Sequence, residues 1–210
     1  MATALLSDLL DRGLDPEQGI LFVIDGAKAL RKAIRSVVGD APVQRCVRHK
    51  ERNVTDHLPE RERPAVKQRL RRAWALDDHD RALGQLKALA SELERTYPGA
   101  AGSLREGMEE TLTLTRLGAT GNLKRTLEST NPCESMIEIV RRTQRNVKRW
   151  SSGEMALRWT AAGMLEAEKQ FRKIIGYRNL ATLVVAIERD HDHRRAAHTA
   201  SKEAAIVLSA

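Results

Sequence analysis

The apolar run ILFVI, which occupies residues 20 to 24 and stops at Asp25 and Gly26, constrains the fold of this chain more than any other feature. Its residues do not alternate with polar ones, and this pattern is typical of a strand covered on both faces inside a parallel or mixed sheet. Because a strand of this kind needs neighbours on both sides, the run predicts more sheet around it.

The residues after this run predict a βαβ unit. The segment that ends at Gly39 has the spacing of an amphipathic helix, and its apolar face consists of Ala27, Leu30, Ile34 and Val37. The segment VQRCV after Pro42 predicts a second strand. Two strands that are joined by a helix through short connections lie parallel in one sheet.

Most of the remaining chain has helical patterns. A short helix is predicted over residues 3 to 12, and long helices rich in Arg, Leu, Ala and Glu are predicted over residues 60 to 117, which we interpret as a helical insertion. Residues 118 to 130 predict a loop with a charged middle. The expected fold class is therefore α/β with a large helical part.

Two further helices and a tail are predicted in the last third of the chain. The helices cover residues 132 to 150 and 153 to 176, and the tail, residues 188 to 210, is polar and expected to fray. The second helix has one apolar face, which consists of Met155, Trp159, Ala162 and Leu165.

The charge balance indicates a polyanionic partner. Thirty-six Lys and Arg residues against 28 Asp and Glu residues give a formal net charge of +8 and a pI near 9.9. Aromatic residues make up only 3% of the chain, which disfavours stacking on single-stranded nucleic acid and favours contacts with phosphates. The two distant cysteines fit reduced thiols, and neither a membrane span nor a signal peptide is evident, so a soluble intracellular protein is expected.

Asp25 has two interpretations. An Asp-Gly pair after a strand is usually a turn, because Asp bonds to its own backbone and Gly accepts a positive φ. However, the carboxyl end of a central strand in an α/β sheet is also where ligand-binding residues collect. The dipeptide favours a turn, whereas its position favours a site.

The segment ESTNPCESMIEIVRRTQRNVKRW, residues 128 to 150, contains a second candidate acid, Glu134. Asn131 as N-cap, Pro132 in the first turn and Glu134 as the third residue match a capping box, which alone would explain the glutamate. Residues 139 to 150 contain no acid, and a charged stripe of this kind is either a solvated face or a set of phosphate contacts. Its five cations are Arg141, Arg142, Arg145, Lys148 and Arg149.

The segment QRCVRHKERN contains Cys46 and His49 in a C-x-x-H arrangement. A structural zinc site needs four ligands and no second pair lies nearby, so a buried thiol beside a packed or hydrogen-bonded histidine is the favoured interpretation. The same segment adds four cations that are candidates for nucleic-acid contacts: Arg45, Arg48, Lys50 and Arg52.

Taken together and in this order, LFVIDGAKALRKAI, QRCVRHKERNV and STNPCESM followed by NVKRW resemble the transposases of bacterial Mutator-type insertion sequences, and the resemblance covers residues 3 to 187. It implies a ribonuclease H-like catalytic domain of the DDE type, in which two aspartates and a glutamate bind a divalent metal. Asp25 matches the second aspartate and Glu134 the glutamate. Cys46 and His49 match a C-x-x-H motif, for which we expect a structural role beside the active site.

The resemblance also implies a division of the chain. Residues 1–55 correspond to a partial ribonuclease H-like core, 56–120 to a helical insertion, 121–187 to a return to the core, and 188–210 to a tail. The first aspartate has no match, since Asp8, Asp11 and Asp15 lie in or just after the first helix. The sequence is therefore expected to represent the C-terminal part of a catalytic domain.

By resemblance, the expected activity is metal-dependent phosphoryl transfer, in which DNA strands are cleaved at element ends and joined to target DNA. The expected cofactor is Mg²⁺ or Mn²⁺, bound by Asp25 and Glu134. The expected partners are double-stranded DNA and either further copies of the chain or a full-length transposase, in the cytoplasm and in association with the nucleoid. The alternative is a basic DNA-binding remnant or regulator of transposition without catalytic activity.

Overall fold

The computed structural model describes the backbone of residues 1–208 and the side chains of residues 1–197, 199 and 200. It is mostly helical, with one small parallel sheet of two strands, β1 (Phe22–Ile24) and β2 (Val43–Arg45). Helix α1 (Ala2–Asp11) precedes the sheet, and α2 (Lys28–Val37) connects its strands. The predicted βαβ unit is therefore confirmed, with Phe22 opposite Val43 in the parallel register.

The βαβ unit and α1 share a small apolar core. The apolar faces of α1 and α2 pack on the sheet, and the buried residues of this cluster are Leu6, Ile24, Ala33, Ile34, Ala41 and Val43. The first strand is covered less completely than the predicted burial on both faces. Of its three residues only Ile24 is buried, whereas all of β2 is buried.

The two edges of the sheet differ. Backbone bonds from Phe22 N–H to Pro42 and from Cys46 N–H to Ile24 define the side of β2 that faces β1. On the opposite edge of β2, the Val43 carbonyl accepts from the Thr113 hydroxyl at 2.6 Å, and the Arg45 carbonyl accepts from the Gln44 side-chain amide at 2.8 Å. Side chains thus satisfy the outer carbonyls of β2.

The segment predicted to be a helical insertion is helical, and we keep the name insertion for it; it holds the largest core. It follows α3 (Val47–Thr55) and contains α4 (Arg63–Trp74), α5 (His79–Thr96), α6 (Pro98–Arg105), a 3₁₀ turn (Glu109–Leu112) and α7 (Thr113–Arg116). The core residues that are excluded from solvent include Val54, Leu70, Ala82, Leu86, Ala100 and Leu104. Hydrogen bonds hold the insertion against β2, since the Gln44 amide donates to the Thr111 carbonyl at 2.9 Å and its oxygen accepts the Leu114 N–H at 2.9 Å.

Residues 118 to 130 do not form the predicted loop, because they contain α8 (Gly121–Leu127). Leu123 of this helix is buried in an apolar cluster with Leu114 and Leu183. Lys124 is buried too, and its ammonium donates to the Leu76 carbonyl. This short, mostly polar segment is helical because its few apolar side chains pack against residues that are distant in sequence.

The next helix, α9 (Asn131–Thr143), ends seven residues before the predicted end at residue 150. Gln144 is its C-cap, and the Gln144 amide donates to the Thr160 hydroxyl at 3.2 Å. This contact joins the end of α9 to α10 (Gly153–Glu168), which also ends before the predicted residue 176.

The packed face of α10 is not the predicted one. Gly163 and Ala167 are buried, and a Cβ added to Gly163 would lie only 3.0 Å from the Val140 Cα of α9. The two helices therefore approach closely on small residues, and the larger side chains of α10 point outward. Leu157, Trp159, Met164 and Leu165 are exposed.

The predicted tail is part of a long helix, α11 (Leu180–Leu208); residues 209 and 210 lie outside the described residues. Asp190 pairs with Arg116 and Arg194, and Arg194 also reaches Asp40 at 3.0 Å. These ion pairs attach α11 to α7 and to the turn before β2. Within the described part of the chain, no helix has the length and apolar character needed to cross a membrane.

Candidate active site

Asp25 is exposed directly after β1, and both interpretations of it describe part of its geometry. One carboxylate oxygen accepts the Ala27 N–H at 2.9 Å, which forms an Asx turn before α2 begins. Gly26 has a φ of 101°, as expected of the glycine in such a turn. The other carboxylate oxygen has no hydrogen-bond partner among the described residues, so the turn leaves it available to a ligand.

Arg45 fixes this turn to the insertion. Its guanidinium donates to the Gly26 carbonyl at 2.9 Å and to the Glu106 carbonyl at 2.9 Å, and it lies 3.1 Å from the Glu106 carboxylate. The Arg45 side chain is only 6% exposed. The prediction that Arg45 contacts DNA phosphates is therefore corrected, because its donors face the interior.

Lys50 is corrected for the same reason. Its side chain is fully buried, and Nζ donates to the carbonyls of Ser103 at 2.6 Å and Glu106 at 2.5 Å. Burial and the nearby Arg45 charge lower the pKa of Lys50 to about 8, although Glu106 opposes this shift. The two cations in turn lower the pKa of Glu106 against the effect of burial. Lys50 and Arg45 thus anchor the insertion.

Glu134 lies beside the C-x-x-H pair. Its carboxylate accepts the Thr130 hydroxyl at 2.9 Å and lies 3.5 Å from His49 Nε2. The other imidazole nitrogen, Nδ1, lies 3.2 Å from the buried Cys46 thiol. The interpretation of Cys46 and His49 as a buried thiol with a hydrogen-bonded histidine agrees with this geometry.

The predicted capping box at the start of α9 is wrong. Thr130, not Asn131, is the N-cap, and no side-chain cap bond is present. The Glu134 carboxylate bonds to the Thr130 hydroxyl rather than to a backbone N–H, so capping does not account for this glutamate.

Cys46 connects the two candidate acids. Its N–H donates to the carbonyl of Ile24, the residue before Asp25, at 2.7 Å, and its thiol accepts the Thr130 N–H at 3.4 Å. The next residue, Val47, donates to the Glu128 carbonyl at 3.0 Å. The start of α3 thereby holds the end of β1 and the start of α9 together.

The other predicted nucleic-acid contacts are exposed. Arg141 and Arg142 lie in the last turn of α9, and Arg48 and Arg52 lie on α3. The remaining three follow the end of α9 and therefore do not continue its helical stripe: Arg145, Lys148 and Arg149. Their assignment to phosphates stays a prediction.

The described residues contain no group of three or more His, Cys, Asp or Glu side chains arranged to hold a metal ion. Four cations near Asp25 are not among the predicted nucleic-acid contacts. Helix α2 places Lys28, Arg31, Lys32 and Arg35 on the face opposite its buried residues. The same periodicity that predicted the apolar face contained this signal.

A family model described as "Transposase, Mutator family" matches residues 2–174, which include both acids and the C-x-x-H pair. The chain belongs to the Mutator family of transposases. This confirms the resemblance found in the sequence.

Three curated relatives are transposases for insertion sequence elements. The chain is 32% identical over 163 residues to that of ISRM5 from Rhizobium meliloti (strain 1021), which covers 78% of this chain and 40% of the relative. It is 30% identical over 137 residues to that of IS6120 from Mycolicibacterium smegmatis, which covers 65% of this chain and 41% of the relative. For IST2 from Acidithiobacillus ferrooxidans, 26% identity extends over 80% of this chain and 55% of the relative. This Mutator-family chain thus spans about half the length of these relatives or less.

Proposed function

We propose that this chain takes part in DNA transposition as a metal-dependent phosphoryl-transfer enzyme that cleaves and joins strands at element ends. Asp25 and Glu134 are the proposed metal ligands. The observation that carries the proposal is the bonding of Cys46, which links the residue before Asp25 to the helix start that bears Glu134. Two segments that are far apart in sequence are thereby held in one place.

The donor chemistry suits Mg²⁺ or Mn²⁺. Both candidate ligands are exposed carboxylates, and each has one oxygen held by an internal hydrogen bond and a second oxygen without a partner among the described contacts. Mg²⁺ is commonly bound by one or two carboxylates together with substrate phosphates and water. A bound ion of this kind supplies Lewis acidity and neutralises phosphate charge.

The chain's own residues then have separate tasks. Asp25 and Glu134 provide oxygen ligands, while the Thr130 hydroxyl and His49 hold the orientation of the Glu134 carboxylate. Arg45 holds the backbone of the Asp25 turn. The exposed cations near the end of α9 contact DNA phosphates.

We further propose that the βαβ unit belongs to a ribonuclease H-like sheet whose other strands lie beyond β1. The half-buried state of β1 and its outer edge, which pairs with no strand among the described residues, support this. The protein acts on double-stranded DNA in the cytoplasm, near the nucleoid, with further copies of itself or with a full-length transposase.

The second candidate function is a DNA-binding regulator without catalysis. It is favoured by the finding that the described residues bring no third acid to Asp25 and Glu134. A regulator of this kind binds DNA, as the proposed enzyme does, but it catalyses no metal-dependent reaction.

The test compares Asp25→Asn and Glu134→Gln with two control variants, Asp11→Asn and Glu138→Gln. Each amide keeps an acceptor oxygen for the internal hydrogen bond, and the control acids are exposed on α1 and α9. Calorimetric titration with Mn²⁺ is expected to show binding that weakens at least about tenfold in the two site variants and is unchanged in the controls. Equal binding by all four variants would overturn the metal assignment.

A nicking assay separates the two functions. Mn²⁺-dependent nicking of supercoiled plasmid that is lost in the two site variants and kept in the controls supports the enzyme. Salt-sensitive plasmid binding without metal-dependent nicking supports the regulator.

A further inference from the structure

Helix α2 separates its charges from its apolar residues completely. Ala33 and Ile34 face the core, and the opposite side bears four cations spaced by three, four and seven residues from the first: Lys28, Arg31, Lys32 and Arg35. None of these residues belongs to the proposed metal site or to the basic segment after Glu134.

This side of α2 borders a groove whose other wall is the end of the insertion. Gly26, Arg45, Glu106, Gly107 and Glu110 also line the groove. Its two carboxylates are already paired, because Glu106 lies against Arg45 and Lys50, and Glu110 lies 2.6 Å from Arg31. The groove therefore presents positive charge that its own acids do not neutralise.

Three of the α2 cations have no carboxylate partner among the described residues: Lys28, Lys32 and Arg35. Lys28 lies three residues after Asp25, so the row of cations begins at the proposed metal ligand and leads away along the helix. The seven helical steps from Lys28 to Arg35 extend for about 10 Å. Along a duplex axis this corresponds to about three phosphates of one strand.

We propose that Lys28, Lys32 and Arg35 form a binding track for the phosphate backbone of duplex DNA, which positions a strand at Asp25. The proposal rests on the proposed function for its choice of DNA. No aromatic residue lines the groove, so bases have no stacking surface there, and paired DNA is favoured over single strands. Arg31, which Glu110 holds in place, orients α2 on the insertion.

The test measures duplex binding without metal. A fluorescently labelled 20-base-pair duplex of arbitrary sequence is titrated in EDTA at several salt concentrations, and binding is followed by anisotropy. The test variant replaces Lys28, Lys32 and Arg35 by alanine. The matched control replaces three exposed cations of α5 by alanine: Arg81, Lys87 and Arg95.

We expect the α2 variant to bind about tenfold more weakly at moderate salt, and its plot of log affinity against log salt to lose about two to three units of slope. The α5 variant, which loses the same charge, is expected to remain within about twofold of the wild type. Equal weakening of both variants, or of neither, overturns the track. Tighter binding of a single strand than of the duplex overturns the choice of ligand.

The outcome is independent of the metal assignment. Mn²⁺ binding by the α2 variant is expected to equal that of the wild type, because no metal ligand is changed. If the wild type binds Mn²⁺ but no duplex, the phosphate track is overturned and the metal site is retained. If it binds duplex through α2 but no Mn²⁺, the metal site is overturned and the phosphate track is retained. Thermal melts followed by circular dichroism confirm that both alanine variants fold.

Discussion

The guanidinium of Arg45 donates a 2.9 Å hydrogen bond to the carbonyl of Gly26, the residue that follows the exposed Asp25. A methyl group has no room at this contact, because a Cβ on Gly26 would lie 2.3 Å from Arg45 Nε. The arginine that passes beside the turn also reaches the insertion at Glu106. The position of Asp25 therefore depends on a buried cation from the neighbouring strand.

Gly26→Ala is expected to destabilise the protein by about 2 kcal/mol, since it forces a side chain into a positive-φ position and displaces Arg45. Urea unfolding followed by circular dichroism measures the change. The control is Gly84→Ala in α5, where a Cβ meets nothing within 4 Å. It is expected to stabilise by about 0.5–1 kcal/mol. Equal effects at the two glycines would contradict the role of Arg45.

Because Lys50 is buried, we expect the free energy of unfolding to depend on pH in the alkaline range. Burial lowers its pKa in the folded protein from the ordinary value of 10.5 to about 8, so the folded protein loses this proton first and stability rises as pH increases from about 8 toward 10.5. In Lys50→Met this contribution is absent. The difference in unfolding free energy, wild type minus variant, is expected to grow by about 1–3 kcal/mol over this range.

Urea unfolding at pH 7.5, 9 and 10.5 measures that difference. The control is Lys87→Met, which replaces an exposed lysine on α5. If the difference between wild type and Lys50→Met is independent of pH, Lys50 is not held in the buried environment described above.

The two cysteine thiols are expected to differ in their reactivity. Cys46 is buried and hydrogen-bonded, whereas Cys133 is exposed on α9. A thiol reagent such as Ellman's reagent is expected to label one thiol in the native protein and two in urea. Cys133→Ala should abolish the native reaction, and Cys46→Ala should leave it in place. Two fast thiols in the folded protein would rule out the bonding of Cys46 described above.

The helix pair α9 and α10 predicts that Gly163→Ala is unfavourable, although alanine normally favours a helix. The added methyl would lie 3.0 Å from the Val140 Cα, and overpacking of this kind costs about 1 kcal/mol or more. Native-state hydrogen exchange should show faster exchange in both helices. Gly102→Ala on α6 has open space around its Cβ and should not accelerate exchange.

The βαβ unit could be predicted because its signals are local. The apolar run before Asp25 and the stop at Gly39 each act within a few residues, and the structure contains the elements they predict. The association of Glu134 with His49 was not predictable in this way, because it requires the folded insertion to bring α3 and α9 together.

The errors also have physical causes. Arg45 and Lys50 look like surface cations because the sequence shows their charge but not Glu106, which lies 61 residues after Arg45. No Gly or Pro marks the end of α9 at Thr143, and the contact between Gln144 and Thr160 at this end joins residues of two different helices. The large apolar residues of α10 suggested its packed face, whereas Gly163 allows a closer and therefore preferred contact.

The hydrogen bonds that Thr113 and Gln44 donate to the outer carbonyls of β2 make the two edges of this sheet unequal. The insertion covers this edge and all of β2 is buried, so the sheet ends at β2 on this side. Among the described residues, the edge that is left for a further extended segment is that of Phe22–Ile24. A peptide intended to extend the sheet can therefore be designed to match β1.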